Sequence, residues 1–173
     1  RSMPSFRHTL LDQTYHSVVQ RQIDYARERG VPWGISESAY LAFDVGLNYQ
    51  YRAFGVPGLG FKRGLGDDLV VAPYASMLAL MVTPEAACSN LQAMASLGFE
   101  GSYGFFEAID YTASRQSRGQ SFTVIRSHMT HHQGMGLLAM GYLLQKQPMQ
   151  RRFAREPKLQ ASVALLHERV PRA

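Results

Sequence analysis

Two segments rich in glycine and aromatic residues constrain the fold of this chain more than any other feature of its sequence. Residues 31–66 contain seven of the 15 glycines, and residues 99–120 have a similar composition over a shorter span. Glycine costs about 1 kcal/mol relative to alanine inside a helix, so the first segment cannot form one continuous helix. Loops longer than about 12–15 residues in a compact domain usually carry function, and we therefore expect the functional residues in these two segments.

Helices are predicted around the two segments, with one short helix inside the first, because apolar residues recur at three- and four-residue spacing. Proline at a first turn and glycine after a last turn support several of the bounds. The predicted helices cover residues 12–29, about 39–51, 73–82, 84–97, 122–147 and 157–169. Sustained alternation of apolar and polar residues and Asn-Gly or Asp-Gly turn signals are missing, so the predicted class is all-α.

The formal net charge of +5 is concentrated at the C-terminal end of the sequence. Residues 146–173 contain seven basic and two acidic side chains, whereas residues 1–145 contain eleven of each and are neutral. A nucleic-acid-binding surface needs basic residues spread over a face and interleaved with aromatic residues, which is not the pattern here. We expect a solvated basic helix without a nucleic-acid partner; contact with an acidic surface is the alternative.

Other classes of site are excluded by residue type and spacing. The single cysteine rules out a disulfide framework and a cysteine-based metal site, and no apolar run approaches the roughly 18 residues of a membrane span. His128, His131 and His132 are close in the sequence, but they lack the acidic residue of a His-Glu-x-x-His zinc motif. The glycines of residues 58–64 lack dinucleotide-binding spacing. We expect no metal and no cofactor.

Two glutamates stand apart from the other acidic residues because aromatic and small residues flank them. Glu37 lies in Trp33-Gly-Ile-Ser-Glu-Ser-Ala-Tyr40, and Glu107 lies in Tyr103-Gly-Phe-Phe-Glu-Ala-Ile-Asp-Tyr111. Apolar surroundings raise the pKa of a carboxyl group and suit it to proton donation near neutral pH. Glycoside cleavage uses two such carboxylates. The sequence therefore indicates glycoside chemistry at this pair, and the alternative is two buried glutamates that anchor loops.

Six motifs along the chain carry a family resemblance. They are Trp33-Gly-Ile-Ser-Glu-Ser-Ala-Tyr40, Tyr49-Gln-Tyr-Arg-Ala-Phe-Gly-Val-Pro-Gly-Leu-Gly60, Lys62-Arg-Gly64, Asp67-Asp-Leu-Val-Val-Ala-Pro-Tyr74, Tyr103-Gly-Phe-Phe-Glu-Ala-Ile-Asp-Tyr111 and His131-His-Gln-Gly-Met135. Together these motifs resemble the glycoamylase-like domain of cyclic β-1,2-glucan synthases, and the resemblance extends from about Leu11 to Arg172, over nearly the whole chain.

The resemblance implies an (α/α)6 toroid that acts on β-1,2-glucan by transglycosylation. Such a ring needs about twelve helices and the sequence predicts about half of them, so residues 1–173 are expected to form the C-terminal half of one glycoamylase-like toroid domain. The rest of a large multidomain synthase, anchored in the bacterial inner membrane, would be its partner. An incomplete ring would also expose apolar helix faces, and self-association through them is expected.

The resemblance also assigns site residues. It implies Glu37 as the acid/base carboxylate and Glu107 as the nucleophile. The residues that it places around glucose units in the cleft are Trp33, Tyr103, Asp110, Tyr111, Arg115, His131 and Gln133. The chain departs from the family at Leu41-Ala42-Phe43, where other members carry a polar or charged residue. Endo-β-1,2-glucanase activity and a non-catalytic glucan-binding fragment are the alternatives.

Overall fold

The computed structural model of the chain describes residues 10–60 and 63–163, and these residues form six α-helices and seven short strands. The helices are α1 (Leu10–Arg29), α2 (Pro73–Leu78), α3 (Pro84–Ser96), α4 (Thr130–Leu144), α5 (Pro148–Phe153) and α6 (Pro157–Val163). The strands are β1 (Ser38–Phe43), β2 (Tyr49–Arg52), β3 (Val70–Val71), β4 (Glu100–Gly101), β5 (Gly104–Phe105), β6 (Ala108–Asp110) and β7 (Thr123–Ile125).

The first three helices confirm the predicted spans because their end signals operate as expected. α1 ends at Arg29, and Gly30 follows it with a φ of +66°. Proline opens both α2 and α3, where a missing backbone N–H costs no intrahelical bond. A 3-10 turn, Ala79–Met81, extends α2 to the predicted length, and Gly98 with a φ of +78° follows α3.

The predicted short helix near residues 39–51 is wrong, because this stretch is the antiparallel hairpin β1–β2. Its connection is built on Asp44, whose Oδ1 accepts hydrogen bonds from the backbone N–H groups of Gly46 and Asn48 at 2.8 and 2.9 Å. Such a side-chain-stabilised turn closes the hairpin without an Asn-Gly or Asp-Gly dipeptide. The alternating aromatic residues Tyr49 and Tyr51 favour a strand over a helix.

The predicted long helix over residues 122–147 is also too long, since α4 begins only at Thr130. Thr123, Val124 and Ile125 are β-branched, and they form β7 instead. Pro148 does not end the helical region but opens α5. The predicted last helix over 157–169 is confirmed as α6 through Val163, and its remainder lies outside the described residues. The all-α class is therefore wrong: helices predominate, but strands form the centre.

The central sheet has the order β3–β6–β7 and is antiparallel throughout. Val70 and Val71 pair with Asp110 and Ile109, and on the other side of β6 Ile109 pairs with Val124. The apolar side chains of this sheet are buried in the main hydrophobic core of the described chain. Burial of this sheet fixes β6, so the residues at its two ends, Glu107 and Asp110, have fixed positions.

α2 and α4 pack closely at Gly136. A Cβ atom at this position would lie 2.5 Å from the Met77 Sδ of α2, so only glycine allows this approach without rearrangement. His132, one turn earlier on α4, is completely buried. Among the described residues, no helix is both long enough and apolar enough to cross a membrane.

Candidate active site

Glu107 lies immediately before β6, and its carboxylate is buried with only 2% of the residue exposed. Its Oε1 atom accepts a hydrogen bond from the backbone N–H of Ala39 on β1 at 3.3 Å and lies 2.8 Å from Nδ1 of His132. Its Oε2 atom has no hydrogen-bond partner among the described residues. Buried oxygens without partners are rare and costly, and a catalytic role is one of the reasons for which they are retained.

Glu37 occupies the corresponding place before β1, but it is exposed. The expectation that both glutamates are enclosed is therefore wrong for Glu37, because Ser38 and Ala39 take the interior positions at the start of β1. Its backbone carbonyl oxygen lies 3.1 Å from the hydroxyl of Tyr74, which also lies 2.8 Å from Ser36 Oγ. One glutamate is thus sheltered, and the other is open to solvent.

Tyr51 on β2 connects the two glutamates. Its hydroxyl lies 3.2 Å from Nε2 of His132 and 3.5 Å from Nε2 of His131. Burial raises the pKa of Tyr51, and the negative charges of Glu37 and Glu107 together with hydrogen bonding to Glu37 raise it further. The hydroxyl therefore keeps its single proton at neutral pH and can donate it either to Glu37 or to Nε2 of His132.

Tyr74 on α2 completes this arrangement by stacking on His132. The ring centroids are 3.7 Å apart and the planes are 10° from parallel. Burial is the largest cause that raises the pKa of Tyr74, and both glutamates add to it, whereas the hydrogen bond with Ser36 works in the opposite direction. We call Glu37, Tyr51, Tyr74, Glu107 and His132 the carboxylate cluster.

Three members of the carboxylate cluster were not among the predicted site residues. Tyr51, Tyr74 and His132 all fall within motifs of the family resemblance, and that was the only available signal for them. The spacing of His132 from its neighbouring histidines excludes a zinc motif but assigns it no role. Its position against Glu107, 25 residues earlier in the sequence, could not be inferred from spacing.

Asp110 and Arg115 form a buried ion pair beside the carboxylate cluster. Arg115 donates to both Asp110 oxygens at 2.7 and 3.0 Å, and the backbone N–H groups of Leu41 and Thr112 donate at 3.0 and 2.9 Å. Burial alone would raise the pKa of Asp110, but these donors hold it below its usual value. Arg115 also pairs with Asp68 at 2.9 Å. These contacts occupy both residues, and their role in binding glucose stays a prediction.

Two other predicted cleft residues lie on α4 near the carboxylate cluster. His131 is exposed, and its ring centroid is 4.0 Å from that of His132. Gln133 is half-buried and donates to the backbone carbonyl of Phe105 at 3.3 Å. Within the described ranges, no group of three or more His, Cys, Asp or Glu side chains could hold a metal ion.

The remaining three predicted cleft residues have different environments. Trp33 is buried in a second apolar core under α1. Tyr103 is 85% exposed in the turn between β4 and β5, where it meets His128 edge-on. Tyr111 is half-buried against Phe122, and burial raises its pKa to about 12. Tyr103 is therefore well placed for contact with a ligand in solution, whereas Trp33 and Tyr111 support the core.

The described fold is similar to solved glucoamylase-like structures. It superimposes on a structure from Bacteroides fragilis described as a putative glucoamylase with a TM-score of 0.59 at 19% identity, covering 88% of this chain and 32% of that one. The endo-β-1,2-glucanase from Chitinophaga pinensis gives a TM-score of 0.56 at 19% identity, covering 87% and 33%. At these identities the likeness establishes the fold, that of the glucoamylase-like proteins.

Residues 4–157 match the glycoamylase family model, described as putative glucoamylase, and the chain belongs to this family. It is also 44% identical over 163 residues to the cyclic β-(1,2)-glucan synthase NdvB of Rhizobium meliloti. That match covers 94% of this chain and 6% of the relative, so the chain spans a small part of the synthase's length. The family resemblance predicted from the motifs is confirmed.

Proposed function

We propose that this chain is part of an enzyme that processes β-1,2-glucan by transglycosylation, as in a cyclic glucan synthase. Glu107 is the nucleophile, and Glu37 is the acid/base residue. The observation that carries this proposal is that the two carboxylates lie around one hydroxyl, that of Tyr51, and the division of roles between them follows the family resemblance. Glu107 is buried, with one oxygen hydrogen-bonded and the other without a partner within the described part of the chain, whereas Glu37 is exposed to solvent.

The proposed reaction has two steps that use the same two side chains. In the first, Glu37 gives its proton to the glycosidic oxygen while that oxygen leaves C1 and Oε2 of Glu107 bonds to C1. In the second, Glu37 takes the proton of an acceptor hydroxyl on a glucan. That hydroxyl bonds to C1, and the C1–Oε2 bond breaks. When the acceptor belongs to the same glucan chain, the product is a ring.

Two further features support a neutral glucan as the substrate. Residues 1–145, which contain the carboxylate cluster, carry no net charge, so the site has no excess of basic residues for an anionic substrate. Exposed aromatic rings such as Tyr103 offer faces on which sugars stack. We also propose that the chain is the C-terminal part of an (α/α)6 toroid within a larger, membrane-anchored synthase. Its match to about a third of each solved relative supports this.

To test this, the matching segment of the Rhizobium meliloti synthase is replaced with this chain. The exchanged protein is then incubated with linear β-1,2-glucan, and the turnover of glucan is measured. We expect Glu37→Gln and Glu107→Gln each to lower the turnover of glucan at least about 100-fold, because each removes a proton-transfer or nucleophilic group. Glu85→Gln, at an exposed position on α3, is the matched control and should retain the turnover of the exchanged protein. Normal turnover in both cluster variants would refute the assignment.

Hydrolysis is the second candidate, because one of the structural relatives is an endo-β-1,2-glucanase. In that case water replaces the glucan hydroxyl in the second step. The two activities differ in their products, since hydrolysis creates a new reducing end at each cleavage, whereas transglycosylation, including ring closure, conserves the number of reducing ends. Measuring reducing ends against glucan consumed therefore separates the two. Binding of glucan without turnover would instead indicate a non-catalytic fragment.

A further inference from the structure

We propose that His132 and Tyr51 are positioning residues that select which oxygen of Glu107 reacts. His132 carries a proton on Nδ1 and donates it to Oε1 of Glu107, while the Tyr51 hydroxyl donates to Nε2. Oε2 is then the oxygen of Glu107 without a hydrogen-bond partner among the described residues, and it is the one that we assign to attack C1. This inference rests on the proposed function for the identity of the nucleophile, but its geometry stands independently.

The first support is that Oε1 is held from two directions. The backbone N–H of Ala39 approaches it at 3.3 Å from β1, and Nδ1 of His132 approaches it at 2.8 Å from α4. A carboxylate can otherwise rotate and exchange its two oxygens. Two donors on one oxygen prevent that rotation, and they leave Oε2 buried without a partner among the described residues.

The second support is that the imidazole of His132 cannot turn. The residue is completely buried, and the ring of Tyr74 lies flat against it at 3.7 Å. The helices that carry these two rings, α2 and α4, also approach closely at Gly136. A ring held in this plane keeps Nδ1 directed at Glu107 and Nε2 at Tyr51, so only the position of the proton is left to assign.

The position of the proton follows from the partner of each nitrogen. Nδ1 faces a carboxylate oxygen, which is an acceptor, so Nδ1 is the donor. Nε2 faces a hydroxyl at 3.2 Å, which can donate to it. The competing arrangement is a charged imidazolium whose Nε2–H donates to Tyr51 while Tyr51 donates to Glu37. The titratable groups that face this ring are Glu107, Tyr51, Tyr74 and His131, with Glu37 beyond Tyr51.

The first experiment observes the imidazole nitrogens of the chain by nitrogen-15 NMR at neutral pH and requires no catalytic activity. We expect a protonated Nδ1 and an unprotonated Nε2 for His132, with the Nδ1 proton protected from exchange with solvent. Tyr51→Phe should change the Nε2 resonance and shorten that protection, because it removes the donor. Protonation of Nε2 in the unaltered chain, with or without a proton on Nδ1, would overturn the proposal.

The second experiment measures kcat and KM for β-1,2-glucan in the segment-exchanged synthase. Asparagine places an amide nitrogen near the position of Nδ1, whereas leucine offers no donor. Orienting groups next to a reacting ligand are typically worth about 10- to 100-fold in activity. We therefore expect His132→Leu to lower kcat about 10- to 100-fold with little change in KM, and His132→Asn to recover most of it. His16→Asn on α1 is the control.

The outcomes separate this inference from the proposed function. If Glu107→Gln abolishes turnover while His132→Leu leaves kcat unchanged, the function stands and the positioning role is wrong. If Glu107→Gln retains turnover, the proposed function itself is wrong. Equal loss of kcat in His132→Asn and His132→Leu, at matched thermal stability, would show that the donor at Nδ1 does not matter and would overturn the inference.

Discussion

At the scale of single residues, Asp110 is a buried carboxylate whose hydrogen bonds connect separate parts of the chain. It is completely buried, and both oxygens are occupied by donors from Arg115, Leu41 and Thr112. A buried charge is tolerated only when it is paired and fully hydrogen-bonded. Asp110 therefore binds three parts of the chain to one point: β1, the end of β6 and the turn that follows it.

We expect Asp110→Asn to destabilise the fold by about 3 kcal/mol, because the amide places a donor against Arg115 and leaves the guanidinium without its buried partner. The free energy of unfolding, measured with urea at pH 7, tests this. Asp24→Asn is the control, since Asp24 forms a surface pair with Arg27, is 41% exposed and should cost less than about 1 kcal/mol. Equal costs for the two variants would contradict this interpretation.

The same residue predicts how stability depends on pH. Because donors hold the pKa of Asp110 below its usual value in the folded state, the unfolded state binds a proton more readily. The stabilising contribution is therefore complete above the unfolded pKa of about 3.9 and is lost as the pH falls through the folded value. The difference in unfolding free energy between the unaltered chain and Asp110→Asn should shrink below about pH 4. A difference that grows on acidification would contradict the assignment.

At the scale of elements, the structure separates what the sequence could predict from what it could not. α1 and α3 were predictable because proline and glycine mark their ends locally. The hairpin β1–β2 was not, since its turn depends on the side chain of Asp44 rather than on a recognised dipeptide. β7 was not either, because its β-branched residues become a strand only through pairing with β6. Glu37 and Glu107 were predicted from their motifs, whereas the contact of Tyr51 with His132 spans 81 residues of sequence and could not be predicted.

The packing of α2 against α4 gives a prediction at this scale. Gly136→Ala should destabilise the fold by about 1–3 kcal/mol, because the new Cβ would lie 2.5 Å from Met77 Sδ and the Met77 side chain would have to move within the packed contact between the two helices. Gly134→Ala, two residues earlier on the same helix, has no atom within 4 Å and should stabilise it by up to about 1 kcal/mol. Chemical denaturation of both variants checks the opposite signs. Stabilisation in both would mean that the helices do not approach as described.

At the scale of the whole molecule, the described chain presents a continuous apolar surface on its helices. One groove of about 600 Å³ runs along α1 and α2, and a second of about 460 Å³ lies along α4 and α5. Leu78, Met81 and Tyr142 line both grooves, so they form one surface. None of the carboxylate cluster lines either groove. The surface is therefore separate from the proposed chemistry and suits contact with other apolar polypeptide.

We accordingly expect the isolated chain to self-associate in a concentration-dependent manner. Leu138 and Leu144 on α4 are 61% and 77% exposed, and burying such side chains between copies is favourable. Sedimentation velocity over a range of concentrations measures the association. Replacing both leucines with glutamate should shift the chain toward the monomer, whereas Gln145→Glu, at an exposed polar position of the same region, should not. A chain that stays monomeric throughout would contradict this expectation.

The contact between β1 and β6 predicts which of the two glutamates an inactive relative would keep. The side chains of Glu107 and Asp110 accept hydrogen bonds from the backbone N–H groups of Ala39 and Leu41. These bonds take the place of backbone hydrogen bonds between β1 and β6. A descendant that lost its activity would still need an acceptor at position 107 to keep its hairpin in place. Glu37 is exposed and carries no such obligation for its carboxylate toward β1. The retention of a glutamate at position 37, rather than at 107, would therefore distinguish working enzymes from inactive relatives.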